Sequence, residues 1–149
     1  MTMPQTWWSQ RVFCEMCGWD DVSCVGHTLQ LCVEEGLDGA TISMMLAKAR
    51  KIVGHFSHSA LATGELHRVQ KWNKKEERSL ARDVATRWNS SFFMLQRLVQ
   101  EKTAVNTVLE DESITKPSDC SRLKLTGAQW DLAEALVTAL KPLRLQLLL

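Results

Sequence analysis

The chain has 149 residues, of which 45% are apolar and 23% charged, a balance that suits one compact domain and leaves out disordered and collagen-like architectures. Seven Gly, three Pro and no run of about 18 apolar residues leave no candidate membrane span. Five cysteines with no apolar leader over Met1–Val12 point to reduced thiols in an intracellular protein, and a net charge of +1 by itself neither excludes nor indicates nucleic acid.

The first element read from the pattern is a short helix in Cys24–Leu37, where Leu29, Cys32 and Val33 recur at helical spacing and Gly36 marks a stop. From Thr41 a stripe of Ile42, Met45, Leu46, Ala49, Ile52, Val53 and Phe56 predicts a long amphipathic helix with Met44–Met45 in the core, bent or ended at Gly64. The polar stretch Lys71–Glu77 reads as a junction. Asn89 is a candidate N-cap for a second long helix whose apolar positions run through Leu95, Leu98, Val99, Val105, Val108 and Leu109. Turn formers in 110–124 read as a loop. Thr126 and Gln129 form a capping box ahead of a helix with Trp130, Ala133, Leu136, Val137 and Leu140 on one face, interrupted or kinked at Pro142. The apolar ending LRLQLLL predicts a chain that continues in a longer relative.

Charge is uneven along this mainly α chain. Gln70–Lys102 holds eight basic and four acidic residues, while the segments on either side each carry a slight acidic excess. The cluster of Lys71, Lys74, Lys75, Arg78, Arg82, Arg87 and Arg97 reads either as a phosphate-binding stripe or as a solvated face paired internally through Glu76 and Glu77. Cys14, Cys17, Cys24 and His27 have a spacing that tetrahedral zinc accepts. Phe13, Met16 and Trp19 around them fit an apolar helical face instead, so buried thiols are the preferred reading. His55, His58 and His67 lack a carboxylate or thiol at matching pitch and read as surface residues, and the neighbouring acids Asp20–Asp21 and Glu34–Glu35 point in different directions.

Two phrases carry a resemblance. WDDVSCVGHTLQL at 19–31, ending in a C-x-x-H pair, and DVATRWNSSFFML at 83–95, containing an Arg-Trp pair, occur in the order found in hAT superfamily DNA transposases. The chain resembles most closely their domesticated, zinc finger BED-type members. The intervening ARKIVGHFSHSALATGEL and the later LKLTGAQWDLAEALVTALKPL look like that family's helical insertion, so the resemblance spans Gly18 to Leu143.

The resemblance implies a helical insertion-domain fragment of an RNase H-like core, with residues 1–23 a remnant of the catalytic-core edge and 24–149 the helical region. Family members use two aspartates and a glutamate to hold paired divalent ions. Where the second aspartate belongs, this chain reads Pro4-Gln-Thr-Trp-Trp-Ser-Gln, and the other two acids fall outside the sequence. The expectation is therefore a non-enzymatic nuclear protein with no catalytic residue, no resident metal or cofactor and no small-molecule substrate. DNA is the expected partner, through Cys24, His27, Lys74, Lys75, Arg78, Arg87 and Trp88, with Arg87 clamping phosphate and Trp88 either stacking on a base or packing under its own helix. The alternatives are a helical protein-interaction or dimerisation module, and a zinc-binding module through Cys14, Cys17, Cys24 and His27.

Overall fold

The computed structural model describes residues 25–84 and 88–146, with side chains over 30–84 and 88–143. Among the described residues there are seven helices and no strand: α1 (Val25–Leu37), α2 (Ala40–His58), α3 (Ala60–Trp72), α4 (Trp88–Gln100), α5 (Lys102–Glu110), α6 (Pro117–Leu123) and α7 (Gly127–Gln146). The mainly α expectation is met. The segment 1–23 expected to be a core-edge remnant, with Cys14 and Cys17, as well as Cys24, Arg87 and the side chain of His27, lies outside the described residues.

The stripe expected on α2 is the one it buries: Met45, Leu46, Ala49, Ile52, Val53 and Phe56 all face inward. Met44 does not join them and is 69% exposed, because one residue along a helix rotates a side chain by about 100°. For the same reason Cys32 on α1 is exposed while Val33 is buried, and α1 runs through Gly36 to Leu37.

The break between α2 and α3 falls at Ser59, five residues before Gly64. Ser59 adopts an extended backbone (φ −123°, ψ 105°), its hydroxyl accepts from the Ala62 N–H at 3.1 Å, and the Thr63 hydroxyl donates to the Phe56 carbonyl at 2.7 Å. A serine cap is worth about 1 kcal/mol and defines a start, whereas glycine inside a helix only weakens it. Gly64 therefore sits within α3.

The second long helix is in fact two. Glu101 (φ −102°, ψ 14°) separates α4 from α5 while hydrogen bonds still cross the junction, Glu101 N–H to the Arg97 carbonyl and Val105 N–H to the Glu101 carbonyl. The bend lets α4 lie on α7 while α5 turns its Ala104, Val105, Val108 and Leu109 face to α3 and α6. Helix α4 begins at Trp88, so Asn89 belongs to its first turn and is not the residue before it.

Part of the expected loop 110–124 is also helical. Pro117 occupies the first turn of α6, where its missing N–H has no intrahelical partner to lose and its fixed φ already suits a helix. The capping box at α7 forms as read: the Gln129 N–H donates to Thr126 Oγ1 at 3.2 Å and the Thr126 N–H to Gln129 Oε1 at 3.0 Å. Helix α7 runs through Pro142 to Gln146.

The main core joins α2, α3, α4, α5 and α7, with Leu123 and Leu125 closing one side. A smaller cluster of Val33, Trp88, Phe92 and Leu140 ties α1, α4 and α7 together.

Candidate nucleic-acid interface

The basic segment leaves α3 through a tight turn. The Lys75 N–H bonds to the Gln70 carbonyl at 2.8 Å and the Lys74 N–H to the Lys71 carbonyl at 3.0 Å, the paired bonds of a Schellman motif. That motif requires a left-handed residue just past the cap, a place usually given to glycine. Here it is Lys74, at φ 56°. Holding an L side chain there costs about 1 kcal/mol.

From this turn a non-helical connector, described over 73–84, continues the chain and is fastened along its length. At its start the buried Gln70 side chain bonds the Arg78 backbone twice, Nε2 donating to the carbonyl at 2.8 Å and Oε1 accepting from the N–H at 3.0 Å. Midway, Leu80 packs against the main core. At its end the Asp83 carboxylate, only 1% exposed, accepts from Arg50 Nε at 2.5 Å, the Ser90 hydroxyl at 2.8 Å and the Ser91 hydroxyl at 2.9 Å. Burial works against the charged carboxylate, but the bonds from Ser90, Arg50 and Ser91 together outweigh it and hold the Asp83 carboxyl below its ordinary value. Arg50 belongs to α2, 33 residues earlier in the chain, a partner that no local spacing indicates.

The cations of the connector are not equivalent. Lys75 is committed inward, its ammonium donating to the Gln100 carbonyl at 2.8 Å and lying 3.9 Å from the buried Glu101 carboxylate. Arg78 pairs with the exposed Glu76, and Lys71 with Glu77 at 3.1 Å. Arg82 leans on the Ser57 hydroxyl at 3.4 Å. Lys74 is exposed and has no acidic partner among the described residues. Exposed pairs such as Arg78–Glu76 are worth about 0–1 kcal/mol, so a phosphate can displace them; Lys75, tied to a buried acid, cannot be drawn away as cheaply.

Trp88 is 3% exposed and packs with Val33, Phe92 and Leu140. Its indole therefore has no face open to a base, and stacking there gives way to packing under α4. His27 lies in the first turn of α1. The structure thus brings Lys74, Lys75 and Arg78 onto one connector and sets Trp88 apart in the core. A feature that the sequence reading passed over is Trp72, the last residue of α3, which is 83% exposed. The signal for it was helical phase: Trp72 falls off the face on which Ala62, Leu66 and Val69 lie.

Among the described residues no three His, Cys, Asp or Glu side chains gather as a metal site, and no helix is long and apolar enough to cross a membrane.

Residues 22–139 match the family model of the ZBED1 RNase-like helical domain. Zinc finger BED domain-containing protein 4 of Homo sapiens is 30% identical over 122 residues, covering 81% of this chain and 10% of the relative. Zinc finger BED domain-containing protein 6 is likewise 30% identical, in both Homo sapiens and Mus musculus, over 84% of this chain and 12% of the relative. The chain thus spans about a tenth of the length of these curated relatives. No solved structure matches. With most of its length inside the family model, and a helical body among the described residues that fits the helical insertion, the chain belongs to the ZBED1 RNase-like helical domain family, that of the hAT-derived, BED zinc finger-type proteins.

Proposed function

We propose that this domain is a non-catalytic, nuclear DNA-contacting module that meets phosphate through the connector between α3 and α4. The observation that carries the reading is Lys74, a solvent-exposed cation kept in a left-handed turn where glycine would relieve the backbone and where no described acid neutralises it. A sparsely populated conformation held by a charged side chain is an outlier of the kind found at functional positions. Arg78 and Lys71 extend the charge, because their partners Glu76 and Glu77 are themselves exposed. Lys75 positions the connector from below. Cys24, His27 and Arg87 stay in the proposal on the strength of the family resemblance alone. No strand chemistry is assigned to the chain, since the family's acids are not among its residues at the expected phrase.

Gel retardation of duplex DNA across a salt series tests this. Each neutralised phosphate contributes about −0.9 to the slope of log K against log[salt], so a Lys74→Glu, Arg78→Glu double variant should weaken binding and flatten that slope. Binding that is absent from duplex and single strand alike, or equal in wild type and double variant, sinks the reading. A second reading, a protein-interaction module, is favoured by the exposed Leu31, Met44, Leu61 and Phe93. It predicts self-association or partner capture that persists at high salt, where phosphate contact is screened.

A further inference from the structure

The end of α3 carries more than charge. Among the described residues Trp72 is the most exposed of the large apolar side chains, at 83%, and the residues next to it in the chain are Lys71 and Asn73, followed by Lys74 at the left-handed position. An indole left in water forgoes the gain of burying its apolar surface, and Trp and Tyr are enriched where a partner covers them. The turn beneath this indole is also rigid. Its two backbone bonds fix the direction in which α3 ends, and the Gln70 side chain locks the chain that follows. The indole thus stands in solvent on backbone whose course is fixed, next in sequence to a cationic turn.

From this we infer that Trp72 stacks on an unpaired base while Lys74 and Lys71 take the phosphates flanking it, making the α3 end a single-strand contact. The inference rests on the phosphate-contact reading above and narrows its substrate to strands with exposed bases. In a duplex the base faces are already stacked, so an indole gains little from them; every unpaired base offers a face of its own, whatever its identity. Lys71 releases Glu77 at small cost because both side chains are largely solvated, at 78% and 46% exposure. Trp88, buried at 3%, cannot perform this role; of the two exposed aromatics of the basic segment among the described residues, Phe93 (40%) lies on α4, whereas Trp72 (83%) adjoins the left-handed turn in sequence, which favours Trp72.

An unpaired base between phosphates is common to DNA and RNA, so the test uses the full chain with oligo-dT, oligo-rU and a blunt duplex of equal length, read by fluorescence anisotropy. Stacking on one base is worth about 1–3 kcal/mol, so Trp72→Ala should weaken single-strand binding by roughly 5- to 150-fold and leave duplex binding within about twofold, with Trp72→Phe intermediate. Indole emission should be quenched on adding oligo-dT to the wild type and to a lesser degree in Trp72→Phe. The tighter of the two single strands identifies the source. Trp72 is solvent-exposed, so Trp72→Ala should unfold at the wild-type midpoint, which separates a lost contact from a lost fold. Unchanged oligonucleotide binding in Trp72→Ala, or an equal loss on single strand and duplex, overturns the inference. Salt-sensitive, Lys74-dependent duplex binding without any Trp72 effect overturns this inference alone, whereas failure to bind any of the three probes overturns the phosphate-contact reading with it.

Discussion

Lys74 sets two demands against each other at a single position. Its φ of 56° opposes an L side chain, while its exposure and lack of a described acidic partner suit it to phosphate. Lys74→Gly should therefore raise stability by about 1 kcal/mol in urea unfolding and at the same time weaken duplex retardation, reducing the salt slope by about one. Asp83 separates the same two properties in the other direction. Its carboxyl is held below its ordinary value of 3.8, so the stability it contributes is fully present above that pH and is lost as pH falls through the lower folded value. Asp83→Asn should cost about 1–3 kcal/mol at pH 7, and the gap to wild type should narrow in unfolding curves taken below pH 3.8. The local pairing of the cations with Glu76 and Glu77 was legible in the sequence, but the distant partners were not. Lys75 is bound to Gln100 and Glu101, and Asp83 to Arg50, across separations of 25, 26 and 33 residues that only the fold closes.

Among the helices, buried faces were read more faithfully than ends. The α2 stripe and the Trp130–Leu140 face of α7 are where periodicity put them, because 3.6-residue spacing is a property of the sequence itself. The breaks at Ser59 and Glu101 were missed for different reasons. Ser59 competes as a cap through its hydroxyl, a local signal present in the sequence, whereas the bend at Glu101 answers to the packing of α5 on α3, which local sequence does not encode. Two caps of comparable build can be compared directly. Ser59→Ala and Thr126→Ala should each lower stability by about 1 kcal/mol, read from denaturant midpoints at unchanged m-value. Equal m-values matter here, since a change would mean that the helices rearranged instead of merely losing a cap.

At the level of the molecule, the two apolar clusters divide the labour. The larger fixes the relation of α2 through α5 to α7, and the smaller, centred on Trp88 and Phe92, attaches α1. Removing Trp88 should thus loosen one part before the rest. Trp88→Ala is expected to cost about 3–5 kcal/mol, with amide hydrogen exchange accelerating in Val25–Leu37 ahead of Ala40–Trp72. The family assignment could be anticipated from two motif phrases and the helical class from periodicity, whereas the exposure of Trp72 was carried in the sequence only by the helical phase of α3 and became plain with burial.

The connector 73–84 has a further consequence for the integrity of the polypeptide. It carries Lys74, Lys75, Arg78 and Arg82 in non-helical, largely exposed backbone, and the main core draws on helices from both sides of it. Among the described residues trypsin should cut here first, and the two pieces should stay associated as a nicked complex, since their interlocked apolar faces and not the peptide bonds between them hold the body together.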